Sequence, residues 1–167
     1  MDIGHFRCQK CGKCCHNLIT EDRGIIRGLT LLPDEVKLFK KQNIAPAIGQ
    51  GKDPKDPDFQ IISFQLTAND CPQLDRDLCK IYEKRPYSCR QFPFSLEPNI
   101  EGGIKLGVDM NCPSARQLVD SFQNFKFSER KYAEKLLQIK LMVNGLPGIH
   151  WLFDLKTCEW IKYSHLV

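Results

Sequence analysis

Four cysteines, Cys8, Cys11, Cys14 and Cys15, stand near the start of the chain in the order C-x2-C-x2-C-C. Thiolates three positions apart, with a turn-forming Gly12 between Cys11 and Cys14, can close on one soft metal centre because such a loop turns its side chains inward. Cys14 and Cys15 are adjacent, and successive side chains diverge, so binding one tetrahedral ion through both would strain the backbone. They are expected to serve different centres, or different irons of one cluster. Later come Cys71-Pro72, Cys79, Cys89 and Cys112-Pro113. Four early and four late thiols make eight, enough for two four-cysteine sites or two cubane clusters. The pairing of ligands to centres stays open at this level.

The C-x2-C-x2-C spacing matches the first three ligands of bacterial ferredoxin clusters, where a further cysteine preceding proline completes the set. Position 18 here is Leu18, so remote cysteines must complete any such site, and Cys71 and Cys112 both precede proline. A four-thiolate centre carries a charge of about −2 with Zn²⁺ or an oxidised cubane cluster, and Arg85 and Arg90 lie beside Cys89. Both are expected to offset that charge or to donate hydrogen bonds to sulfur. Pro86 and Pro93 would hold this segment in turns, with Tyr82 and Phe92 screening it from water. His16 follows the cysteines directly, but eight thiols already suffice, and His5, His150 and His165 lack ligand-like spacing. Cys158 is the odd thiol, read as a bystander.

The run F-x-C-x2-C-G-x-C-C at Phe6 to Cys15, then Cys71-Pro72-x-Leu74, then Cys79-x-Ile81-Tyr82-x2-Arg85-Pro86-x2-Cys89-Arg90-x-Phe92-Pro93, resembles the CxxCxxCC cysteine-cluster family, also called YkgJ-like. The similarity runs from about Phe6 to Cys112. It implies zinc or iron chelation, often as an iron–sulfur cluster, with Cys8, Cys11, Cys14, Cys15, Cys71, Cys79, Cys89 and Cys112 as ligands and Cys158 outside the set. A flagellin lysine methylase carries a related cysteine-rich domain, so the resemblance supports metal binding more than any one reaction.

Nine cysteines in 167 residues exceed ordinary cytosolic usage, yet a chain of this length can bury a core without disulfide staples. The opening MDIGHFRC has neither a basic nor an apolar leader segment, and the longest apolar runs are triplets such as Trp151-Leu152-Phe153. A cytoplasmic protein outside the membrane is therefore expected, and there clustered thiols are metal ligands or redox groups before they are disulfides. The formal charge of +4 from 24 basic and 20 acidic residues hints at an acidic partner. Eight thiolates balanced by two Zn²⁺ ions, or by two oxidised cubane clusters, bring the sum to zero, so no nucleic-acid partner is expected. G-x-S-x-G, H-E-x-x-H, phosphate-loop and dinucleotide motifs are all absent from the sequence.

The elements that must position these residues are modest. Leu32–Lys41 carries Pro33 in a first turn and acids before bases, which predicts a helix of about three turns. Residues 49–58, rich in Gly, Pro and Asp, read as a loop. The runs 59–66 and 103–110 read as strands that could pair with each other. Pro113 to Phe125 and Ser128 to Val143 read as helices, the second with Tyr132, Leu136, Ile139 and Val143 on one core-facing stripe, a Ser128 cap and a stop at Asn144-Gly145. Residues 148–167 read as a packed strand or hairpin.

The expectation is one α+β domain over 1–167, small, irregular and metal-stapled, with a short antiparallel sheet and C-terminal helices. Residues 5–112 would form the metal-binding region and 113–167 a helical extension packed on it. The leading functional expectation is one or two [4Fe–4S] clusters serving electron transfer or a partner enzyme, with an unidentified protein as partner. The alternatives are a zinc-stapled interaction module and a methyltransferase-like, protein-modifying enzyme carrying a cluster. Whether any reaction is catalysed is left open.

Overall fold

The structure, a computed structural model, describes residues 3–99, 101–122 and 124–165. Its largest element is a five-stranded antiparallel sheet in the order Glu159–Lys162, His150–Asp154, Ile44–Gln50, Gln60–Leu66, Thr30–Leu31. Burial alternates along His150–Asp154, with His150, Leu152 and Asp154 inward, as the period of an extended chain requires. The Ile44–Gln50 strand carries Pro46 in its interior, which has no N–H to offer the ladder. The register accordingly shifts between Pro46 and Ile48, and the buried Gln65 side chain donates to the Pro46 carbonyl at 2.7 Å. Residues 49 and 50, expected at the start of a loop, are the end of this strand.

Gln65 is a hub of the sheet. Its amide nitrogen also donates to the Phe153 carbonyl at 3.1 Å, and its Oε1 accepts the Gly28 N–H at 2.8 Å. Gly28 must be glycine for this approach, since a Cβ there would lie 1.7 Å from the Leu66 carbonyl oxygen. Asp154 ties the C-terminal hairpin to the Ile25–Arg27 strand by accepting the Ile26 N–H at 2.8 Å.

Three helices follow, α1 (Tyr87–Gln91), α2 (Pro113–Ser121) and α3 (Arg130–Gly145). Helix α3 buries Ala133, Leu136, Leu137 and Val143 and packs on α1 and on the Phe94–Pro98 strand. It starts after Glu129 rather than at a Ser128 cap, and the stop at Gly145 falls where Asn144-Gly145 predicts. Helix α2 ends at Ser121, and Gln123, in the expected helical stretch, lies outside the described residues, as do Leu166 and Val167 of the tail. The C-terminal third supplies strands as well as helices, because His150–Asp154 pairs with Ile44–Gln50.

Two local expectations are corrected. The stretch from Pro33 is a six-residue 3-10 helix, Pro33–Leu38, not three α-turns. The Glu35 carboxylate accepts the Leu32 N–H at 2.7 Å and closes the first turn, while the Gln73 side chain takes the Leu38 carbonyl at 2.6 Å and stops propagation. The strands Gln60–Leu66 and Ile104–Val108 do not pair with each other. Ile104–Val108 folds back on Phe94–Pro98 because a turn closes locally, with the Asn99 side chain accepting the Gly103 N–H at 2.6 Å. Nearest-neighbour closure costs less loop entropy than reaching a distant strand. The whole is a small α+β domain, and among the described residues no helix is long and apolar enough to cross a membrane.

Candidate metal centre

The N-terminal cysteine loop has almost no regular structure, so other segments hold it. Gly4 and His5 pair in parallel with Phe125 and Lys126, and the Phe6 ring meets Phe94 edge-on at 5.4 Å. Gly12 sits at φ +71°, where glycine carries no Cβ penalty, and its carbonyl accepts the Cys15 N–H at 2.9 Å in a 3-10 turn over Lys13–Cys15. The loop is then stitched to the second cysteine segment. Cys71 N–H donates to the Cys15 carbonyl at 2.8 Å, Leu18 N–H to the Asn69 carbonyl at 2.9 Å, and His16 Nδ1 lies 2.8 Å from Asp70 Oδ1. His16 is engaged with Asp70 and not with the thiols.

Cys79 lies on a small hairpin, Leu74–Asp75 with Leu78–Cys79, whose two turn residues Arg76 and Asp77 both have positive φ, the geometry that matches strand twist. Gly12 packs against that turn so closely that a Cβ would fall 2.8 Å from the Asp77 Cα. Cys89 rides on α1, which is fixed from below. Glu35 Oε1 accepts the Tyr87 N–H at 2.7 Å and Ser88 Oγ donates to the Thr30 carbonyl at 2.7 Å. Cys112 is the cap residue of α2, directly before Pro113.

Eight cysteines from these segments gather in two groups. The Cys15 thiol makes thiol–thiol hydrogen bonds with both Cys14 and Cys71. Those bonds lower Cys14 to about 7 and Cys71 to about 6 and raise Cys15. Cys79 and Cys89 sit in the same field: burial raises both, and the charges of Cys14 and Cys71 raise them further. Cys112 belongs to the second group. Burial raises it, the N–H groups of Ala115 and Ser114 oppose that, and its thiol neighbours are Cys11 and Cys8. The structure thus brings together Cys14, Cys15, Cys71, Cys79 and Cys89 on one side and Cys8, Cys11 and Cys112 on the other. Cys158 stands apart in the C-terminal hairpin turn.

The two arginines differ. Arg85 lowers Cys14, Cys79 and Cys89 electrostatically, and its guanidinium lies over the Tyr82 ring at 3.8 Å. Tyr82 in turn is hydrogen-bonded to Cys8, so Arg85 and Tyr82 stand between the two thiol groups. Arg90 faces backbone instead. It donates through Nε to the Arg85 carbonyl at 3.0 Å and through its terminal nitrogen to the Glu83 carbonyl, and its guanidinium covers the Tyr132 ring at 4.9 Å. Its place is to shape the 83–90 segment that presents Arg85 and Cys89.

All nine cysteines are free thiols, and Cys15, Cys71 and Cys112 are buried. Among the described residues no three side chains of His, Cys, Asp or Glu are grouped so as to hold a metal ion. By chemistry, soft sulfur donors in that number, with an arginine beside them, fit zinc or iron better than a hard cation. The family model described as "Putative zinc- or iron-chelating domain" matches residues 7–133, which include all eight gathered cysteines. The chain belongs to the CxxCxxCC family. Neither the curated proteins nor the solved structures gave a match. In this CxxCxxCC domain the support hardest to foresee was Glu35. The Leu32–Glu35 half of the Glu35 contact is a local capping pattern, but its second partner, Tyr87, is remote in sequence.

Proposed function

We propose that the protein binds iron–sulfur through its eight gathered cysteines and passes electrons to, or supports, a protein partner in the cytoplasm. The observation that carries this reading is the placement of Cys15 between Cys14 and Cys71, with Cys79 and Cys89 feeling the charge of the same thiols, beside a separate group of Cys8, Cys11 and Cys112. A cluster spreads its ligands over several irons and so accommodates the vicinal Cys14 and Cys15, whereas one tetrahedral zinc ion bound by both would strain the backbone. When bound, such a group supplies one-electron chemistry. The chain's own part is to hold the thiolates, with Arg85 against their charge and Tyr82 between the groups. Free thiols throughout suit a reducing compartment.

A zinc-stapled module is the second reading, favoured by one fact. Cys15 and Cys71 pack into an apolar cluster with Leu31, Phe39 and Leu66, as ligands do where metal substitutes for core. Purification without oxygen decides between them. Brown protein with broad visible absorption and equal iron and sulfide, in multiples of about four per chain, is expected. Colourless protein containing zinc alone overturns the iron–sulfur reading.

A further inference from the structure

A cleft of ≈ 1080 Å³ opens between the cysteine loop, α1, the Thr20–Arg27 hairpin and α3. Its floor is apolar, built from Ile48, Ile139, Val143 and Leu152, and Cys14 lines its other end. Polar and charged side chains make up the greater part of the remaining wall, so the cleft pairs an apolar base with a polar rim, and concave sites with an apolar base and convergent polar groups are where small molecules bind.

Arg27 is the polar group that stands out. It lies two residues from the buried Ile25 on a strand and so shares the face that packs towards Val143 and Leu152. Desolvation lowers its affinity for its proton, with partial relief from Asp22 and Tyr163. Yet among the described residues its guanidinium makes no hydrogen bond and no ion pair within 4 Å. An arginine stays charged under such conditions, and a half-enclosed cation without a partner is costly unless a ligand supplies one. Donors converge on the same place. Tyr163 OH donates to Asn144 Oδ1 at 2.6 Å, which turns the Asn144 amide N–H groups outward as further donors.

The other charges facing the cleft limit what fits. Lys140 is paired with Glu97, and His16 with Asp70, while Asp22 and Asp109 add negative charge to the walls and Lys13 and Arg23 add positive charge. A dianion beside Asp22 would meet about twice the repulsion that a monoanion meets there, and a single guanidinium at Arg27 neutralises only one negative charge. We propose that the cleft binds a small organic carboxylate, its charged end held by Arg27 and Asn144 and its apolar body lying on Ile139, Val143 and Leu152 towards Cys14. The proposal stands independently of which metal the thiols hold.

The test uses 4-phenylbutyrate as probe on the metal-loaded protein, with calorimetry for affinity and amide chemical shifts for location. The neutral 4-phenylbutanol and dianionic phenyl phosphate are comparators. Saturable binding of the acid is expected, weakened about tenfold or more in Arg27→Gln, with the alcohol binding no better to wild type than the acid binds to the variant. Shifts should centre on Arg27, Ile139 and Asn144. Melting temperature and metal content report whether Arg27→Gln is folded; if it is not, Arg27→Lys, which keeps the charge and loses the planar fork, is expected to give an intermediate affinity. Absence of saturable binding at millimolar acid, unchanged affinity in the folded variant, or shifts confined to another face overturns the proposal. Tighter binding of phenyl phosphate than of the acid overturns the monoanion assignment.

Discussion

The N–H of Cys71 donates to the carbonyl of Cys15 at 2.8 Å, and the thiols of the same two residues are hydrogen-bonded to each other. Backbone and side chain therefore join the first cysteine segment to the second at one point. The donor set does not depend on metal alone to bring its halves together, since the Asn69–Cys71 stretch is already laced to Cys15, His16 and Leu18.

Division of the thiols into a five-member and a three-member group predicts separable metal loss. Cys89→Ser should remove the metal associated with Cys14, Cys15, Cys71 and Cys79 and leave a residue held near Cys8 and Cys11, while Cys112→Ser should do the converse. Each is expected to lower total metal by about half, read as iron, sulfide and zinc per chain. Complete loss in both variants would mean that a single centre spans the two groups.

Gly12 predicts a second outcome. Its φ of +71° and the 2.8 Å from a hypothetical Cβ to the Asp77 backbone mean that Gly12→Ala pays for left-handed geometry and also pushes the cysteine loop off the Cys79 hairpin. Gly24 has φ +78° but open space around it, so Gly24→Ala isolates the backbone cost of about 1 kcal/mol. Denaturation and metal analysis should show Gly24→Ala mildly destabilised with full metal, and Gly12→Ala more destabilised with reduced metal.

The strand read at 59–66 and found at Gln60–Leu66, most of the loop read at 49–58, and the core stripe of α3 were legible because each rests on local composition or period. The strand at 44–50 was not, because Pro46 contradicts a central position and only Gln65, from the neighbouring strand, makes it tolerable. The split of the thiols was illegible for a similar reason. Cys14 and Cys15 are adjacent yet Cys15 turns to Cys71, and Cys112 joins Cys11 and Cys8 only through the placement of α2. Arg90 reads from sequence like Arg85, and its turn towards the carbonyls of Glu83 and Arg85 is fixed by the short helix on which it sits.

Asp154 predicts a pH dependence. Its carboxyl is buried, and desolvation by itself would raise it, but hydrogen bonds from Ile26 N–H and from Thr157 and Lys156 outweigh this and hold it below the ordinary 3.8. A carboxyl lowered on folding contributes stability that is complete above its unfolded value and is lost as pH falls through the folded one. Wild type should therefore lose stability steeply below about pH 4, and Asp154→Asn, weaker by about 2 kcal/mol at neutral pH, should show a shallower acid limb. Parallel acid limbs for the two proteins would remove Asp154 as the source.

Cys158 occupies the last turn residue of the C-terminal hairpin at φ +58°, where its N–H donates to the Asp154 carbonyl at 2.9 Å. A non-glycine residue held left-handed costs about 1–2 kcal/mol, and glycine removes that cost while adding roughly 0.5–1 kcal/mol of unfolded-state entropy. Cys158→Gly is therefore expected to leave stability unchanged or raise it by up to about 1 kcal/mol, with full metal content. Its thiol is exposed in the C-terminal hairpin and makes a weak hydrogen bond to the Leu155 carbonyl at 3.8 Å, away from the two cysteine groups. Metal loss in Cys158→Gly equal to that in Cys89→Ser would place the ninth cysteine among the ligands and require a different grouping of the other eight.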